Sequence, residues 1–110
     1  MPDHSRLTDL EQLLLLSALR LGEDAYGAAI QADLEVTAGR SVSLGSIHVT
    51  LGRLEERGLS RSRMGEPQAV RGGKARRIYS VTAEGRAALE WSREMLGRMW
   101  RGVPAVPPPP

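Results

Sequence analysis

The chain has 110 residues, enough for one domain and too few for two with independent cores. It contains no Cys, which removes disulfides, thiolate nucleophiles and Cys-ligated metal sites together. Lys and Arg number 15 against 13 Asp and Glu, a formal charge of +2, and a hydrophobic share of 41% excludes a disordered chain.

In chain order, Thr8-Asp9-Leu10-Glu11 opens a first helix over 8–21. Thr8 and Glu11 have the spacing of a capping box, and Asp9 suits the positive end of the helix dipole. Leu13 to Leu16 is a run of four, so this helix is apolar around more than one face and is expected to be buried on two sides, the second by another subunit or by the chain itself. Gly22 ends it. Asp24 is the expected N-cap of a second helix reaching about Val36, with Ala25, Ala28, Ala29 and Ala32 as a small-residue packing face. Thr37-Ala38-Gly39-Arg40 stops it.

A third helix starts at Ser43, a favourable N-cap, and runs to Arg57 before Gly58. Leu44, Ile47, Leu51 and Leu54 form one narrow apolar stripe along it. Gly45, Ser46, Val49, Gly52 and Arg53 point the other way, with His48 and Thr50 on the flanks. That outer face is small, hydrogen-bonding or cationic, unlike the Glu/Lys mixture of a solvated helix. It is what a helix needs in order to approach base edges in a groove, although an ordinary surface helix is the competing reading.

Leu59–Met64 and Arg76–Val81 read as two strands, joined by a Gly- and Arg-rich loop over 65–75. Charge is concentrated here: residues 53–77 hold eight cations and three acids, whereas residues 1–52 hold three cations and seven acids. Fourteen of the fifteen cations are Arg, the side chain suited to forked contact with phosphate and guanine. Thr82 caps a fourth helix over roughly 83–101, carrying Leu89, Trp91, Met95, Leu96, Met99 and Trp100. The Pro-rich tail, 102–110, is expected to be extended.

Three helices, a two-stranded basic hairpin and a further helix make a mainly α chain in the order of a winged helix-turn-helix. The expected domains are 5–82 for DNA binding, 83–101 for dimerisation and 102–110 as a tail. Expected DNA contacts are Ser43, Ser46, His48, Val49, Thr50 and Arg53 on the third helix and Arg71, Lys74 and Arg76 on the wing. The expected dimer interface is Leu10, Leu13, Leu14, Leu89, Leu96, Met99 and Trp100. With two distant His and no catalytic or metal-ligating constellation, no reaction type can be written and no cofactor is expected. No apolar run reaches the roughly 18 residues of a membrane span and no signal-peptide pattern opens the chain, so a cytoplasmic protein with no membrane partner is expected.

Three segments also carry a family resemblance: Ala25–Ile30, Ser43–Leu59 and Arg76–Gly85. Together they resemble the PadR family of bacterial transcriptional regulators, in the family's motif order and over about residues 7–100. The Gly65-Glu66-Pro67 opening of the wing loop further resembles a subgroup associated with ABC-type permeases. The resemblance implies a homodimeric repressor that presents two third helices to successive major grooves of a pseudo-palindromic operator. Ser46, Thr50 and Arg53 match the family's polar positions, but His48 and Val49 stand where it commonly has Tyr and Pro, so base preference does not transfer. Some members hold aromatic ligands between their last helices, which makes Trp91, Met95 and Trp100 a candidate effector pocket and a small aromatic effector a candidate partner. The alternative, from another class, is a winged-helix protein-interaction module without DNA binding.

Overall fold

Thr8 caps the first helix, α1 (Asp9–Leu21), in a computed structural model that describes residues 6–66, 75–106 and 109–110. Both halves of the capping box form: Thr8 Oγ1 accepts from Glu11 N at 3.1 Å, and Thr8 N donates to Glu11 Oε1 at 2.8 Å. Leu14, Leu15, Ser17 and Ala18 are buried within this one chain, whereas Leu16 and Leu19 are exposed. Leu14, expected at a subunit interface, is fully enclosed and offers no surface to a partner. The apolar run therefore fills this chain's own core with one half and leaves Leu16 and Leu19 outside it.

The second helix, α2 (Gly27–Ala38), begins two residues later than Asp24 as its N-cap would have placed it. Gly22–Asp24 instead forms a 3-10 turn, and Tyr26 stands at the helix entrance in extended backbone. The cause is a tertiary pairing. Tyr26 bridges Ile78, and Tyr79 N donates to Ala25 O at 2.8 Å, so residues 25–26 are held against the wing and cannot join the helix. The packing face is only partly the alanine face: Ala25, Gly27, Ile30 and Leu34 are buried and Ala29 is half-buried, while Ala28 and Ala32 are exposed. Gly39 ends α2 at φ 65°, a left-handed conformation that an L side chain would strain.

The third helix, α3 (Leu44–Glu56), has Ser43 as N-cap, its Oγ accepting from Ser46 N at 3.1 Å. Ile47, Leu51 and Leu54 are fully buried, but Leu44, at the head of the expected stripe, is 42% exposed and lines an open cleft with Tyr26, Gly27 and His48. Strands β1 (Ser60–Met64) and β2 (Arg77–Val81) pair antiparallel, with Ser62 opposite Tyr79. Ser60 is buried and donates to Leu51 O at 3.1 Å, which fixes β1 on α3. Thr82 caps the last helix, α4 (Ala83–Trp100).

Only the first half of α4 packs on the domain. Gly85, Ala88, Leu89 and Ser92 are buried, and from Arg93 onward every described residue except Met95 is exposed. Leu89 thus belongs mainly to the chain's own core, with 7% of it exposed. The projecting half is reflected in a radius of gyration of 16.3 Å, against about 13 Å for a compact domain of this length.

A polar clamp joins α1 to α2 beneath this core. Asp33 Oδ2 accepts from Ser17 Oγ at 2.7 Å, and Asp33 Oδ1 accepts from Arg20 Nη2 at 3.2 Å and Thr37 Oγ1 at 2.9 Å. The Arg20 and Ser17 hydrogen bonds hold the carboxyl below its ordinary value of 3.8, outweighing partial burial that acts the other way. A depressed folded value means that the clamp contributes its stability above about 3.8 and loses it as pH falls through the folded value. Urea midpoints of the wild-type protein are therefore expected to fall more steeply below pH 3.8 than those of Asp33→Asn. Parallel pH profiles for the two proteins would show that the clamp is not ionic.

Candidate nucleic-acid interface

The burial of Ile47, Leu51 and Leu54 against α1 and α2 turns the opposite side of α3 outward. Gly45, Ser46, Val49 and Arg53 are exposed there, and Gly52 and Thr50 are half-buried at the margins. The Arg53 side chain makes no hydrogen bond or ion pair among the described residues, so its guanidinium is available to an outside acceptor. Ser43 is committed to capping and also donates to Ser46 Oγ at 3.0 Å. Ser46 accepts that bond and keeps its own O–H to donate outward.

His48 is exposed on the flank of α3, as expected, but it also makes a contact within the chain. Its Nδ1 shares a hydrogen bond with the Tyr79 hydroxyl, and the two rings lie 5.8 Å apart at 42°. A Cβ added to Gly27 would sit 2.9 Å from His48 Nε2, so the other ring nitrogen is pressed against the start of α2. His48 thus braces α3 between α2 and the wing through Nδ1 and by contact with Gly27, while the residue stays exposed in the cleft between them. Burial raises the Tyr79 hydroxyl above its ordinary range, an effect opposed by Arg77, so it stays protonated for this bond at neutral pH. Sequence spacing holds no hint of this pairing, since His48 and Tyr79 are 31 residues apart.

The wing brings Arg76 and Arg77 to the cleft at the start of α3. Arg76 stacks over the Tyr26 ring at 4.0 Å, a cation–π contact that fixes a long side chain without neutralising it. Tyr26, Gly27, Ala28, Leu44, His48, Arg76 and Arg77 line one open cleft of about 300 Å³ where α2, α3 and the wing meet. Arg77 donates to Ser62 Oγ at 3.0 Å, and Ser62 in turn donates to Glu55 Oε1 at 2.8 Å, tying the wing to the end of α3. Arg63 is paired with Glu23, whereas Arg61 is exposed. Arg71 and Lys74 lie outside the described residues. Tyr26 has a role that sequence reasoning missed, although it is one of two Tyr and stands directly before the helix-turn-helix.

The expected effector residues are not brought together. Trp91 and Met95 line a groove with Arg6, Leu7, Gln12 and Ser92. Trp100 lines another, with Gln12, Leu16, Leu89, Arg93, Leu96 and Gly97. Nine residues separate Trp91 from Trp100, about half a turn out of phase at 3.6 residues per turn. Within one chain the three expected side chains therefore make two grooves and not one pocket. Of the expected interface residues, Leu96, Met99 and Trp100 are exposed, Leu10 and Leu13 pack partly against the core, and Leu14 and Leu89 are in it. Leu16, absent from the expected interface, joins Leu96 and Trp100 in the second groove.

Comparison with known proteins follows the same geometry. The model of the transcriptional regulator PadR-like family matches residues 15–91, which span the helix-turn-helix, the wing and the first half of α4. The chain belongs to the PadR-like family. It is 40% identical over 80 residues to transcriptional regulator Rv3488 of Mycobacterium tuberculosis, covering 73% of this chain and 70% of that protein. A PadR family regulator from Clostridium difficile is 25% identical with a TM-score of 0.62, over 81% of this chain and 88% of that one. A PadR-like regulator from Bacillus cereus is 27% identical with a TM-score of 0.64, over 82% of each chain. The winged helix fold expected from the element order is thereby shown. This PadR-like chain is a transcriptional regulator and not an enzyme. No helix among its described residues is long and apolar enough to cross a membrane.

Proposed function

We propose that this PadR-like regulator is a homodimeric repressor that inserts α3 into successive major grooves of a pseudo-palindromic operator, with the wing on the flanking backbone. The observation that carries the DNA reading is the outward face of α3, where Ser46, Thr50 and an Arg53 side chain unpaired among the described residues are displayed, while the Tyr26-held Arg76 stands at the His48 flank of the same helix. Sites made by Arg and hydroxyl groups on a helix free of competing ion pairs fit phosphate oxygens and base edges. The dimer reading rests on Leu16, Leu96, Met99 and Trp100, which are apolar, exposed and grouped where α4 leaves the domain. Repression, as the sign of regulation, rests on the family resemblance alone. Its place of action is the cytoplasm, where chromosomal DNA lies.

Binding to random-sequence duplex DNA at two salt concentrations tests the reading. Affinity is expected to fall steeply between about 50 and 200 mM salt. Arg76→Ala should weaken binding to all sequences alike and flatten the slope by about one unit for each phosphate that a subunit no longer grips. A mutant with the wild-type slope would remove Arg76 from the phosphate clamp. Absence of duplex binding at the lower salt would overturn the function and favour a protein-interaction module.

A further inference from the structure

The middle of the outward face of α3 carries a residue that neither the fold nor a phosphate contact explains. Ile47, Leu51 and Leu54 are fully buried and Leu44 lies in the cleft beside Tyr26, but Val49 is 53% exposed and none of these residues covers it. A β-branched side chain is a mediocre helix former, and an exposed one gains nothing from packing, so Val49 is unfavourable here as far as the isolated chain is concerned.

Its neighbours give it reach. At about 100° per residue, Gly45 and Gly52 lie roughly 40 to 60° to one side of Val49, and Ser46 and Arg53 lie as far to the other. A Cβ at Gly52 would meet nothing within 4 Å, and one at Gly45 only Ser43 Oγ at 4.0 Å. One flank of Val49 is thus bare backbone, which lets the helix sink until the valine methyls lead. Glu56 falls near the same line, but about 10 Å further along the axis, beyond the reading half of the helix.

The floor of the major groove offers one apolar group, the 5-methyl of thymine. A valine has no donor or acceptor and so cannot read the hydrogen-bonding edges of guanine, cytosine or adenine. We infer that Val49 is a specificity-determining residue that packs on a thymine 5-methyl in each half-site. This inference rests on the DNA-binding reading above and adds to it the base that each half-site must carry.

The test starts by selecting bound sequences from a random duplex library with the full chain. Each symmetric thymine pair of the enriched site is then replaced by deoxyuridine, which removes only the methyl. For one such pair, wild-type affinity is expected to fall roughly fourfold per methyl, or about fifteenfold for the pair. Val49→Ala, whose exposed position leaves folding intact, should bind the thymine and deoxyuridine sites alike. Val49→Thr, which keeps one methyl, should retain part of the discrimination. Equal deoxyuridine losses in wild type and Val49→Ala, or an enriched site indifferent to every thymine methyl, would overturn the contact while leaving DNA binding in place. No enrichment together with no duplex binding at about 50 mM salt would overturn the DNA reading and this inference with it.

Discussion

Gly85→Ala is expected to lower the unfolding free energy by about 3 kcal/mol or more, although alanine is the better helix former by about 1 kcal/mol. Gly85 is in the first turn of α4, where the helix crosses the start of β1. A Cβ there would lie 2.0 Å from Leu59 O and 2.8 Å from Val81 Cγ1. The nearer atom is backbone, locked from both sides: Thr82 N donates to Leu59 O at 3.2 Å, and Leu59 N donates to Leu54 O at 2.9 Å. Relief therefore requires moving α4 or β1, and overpacking outweighs propensity. Thr82→Ala is the calibrating variant, because it removes a cap whose Oγ1 accepts from Gly85 N and donates to Gly58 O, at a cost of about 1 kcal/mol. Urea unfolding of both should place Gly85→Ala well below Thr82→Ala. A Gly85→Ala protein as stable as wild type would mean that α4 can shift freely on the sheet.

Leu96→Glu combined with Trp100→Glu should convert a dimer to a monomer and lower operator affinity by at least about a hundredfold. Two half-site contacts on one particle bind with an effective concentration that a single head lacks, typically 10²- to 10⁴-fold in affinity. Both side chains are exposed in the single chain, so the substitutions should leave the helical signal and the unfolding midpoint of the monomer intact. Sedimentation velocity at micromolar concentration reads the first effect and titration of the selected duplex the second. A double variant that still sediments as a dimer would move the interface away from this end of α4. Loss of the dimer with unchanged operator affinity would separate assembly from binding.

Local signals in the sequence reported the helix ends faithfully wherever one residue's own side chain made the end. Thr8, Ser43 and Thr82 cap the helices they precede, and Gly22 and Gly39 end α1 and α2 with positive φ. The errors came where a distant partner decided. Asp24 is a good cap by type, yet β2 claims residues 25–26 and delays α2. His48 reads as a groove residue by its place on the helix, and what spacing could not foretell is that Tyr79 engages its Nδ1 while the residue stays exposed. Leu14 and Leu16 are two positions apart in one apolar run, and only the arrangement of α2 to α4 around α1 buries one and leaves the other exposed. The outward set Ser46, Val49 and Arg53 was legible because a buried stripe on a helix dictates the opposite side.

The pairing of Tyr26 with Ile78 has a consequence for assembly. Strand β2 has β1 along one edge and residues 25–26 against the middle of the other, so that stretch of its second edge is closed to a stranger. Among the described residues, β1 is the strand with an open edge, and Arg61 and Arg63 stand along it. Charged side chains on a short open edge discourage a second chain from extending the sheet. Self-association is thereby steered away from strand addition, which has no natural end, and toward helix contact, which closes after two copies when the surfaces meet about a two-fold axis. A protein with Leu96, Met99 and Trp100 in the open thus works against fibrous growth by keeping that strand edge charged, with Arg61 and the Arg63–Glu23 pair upon it.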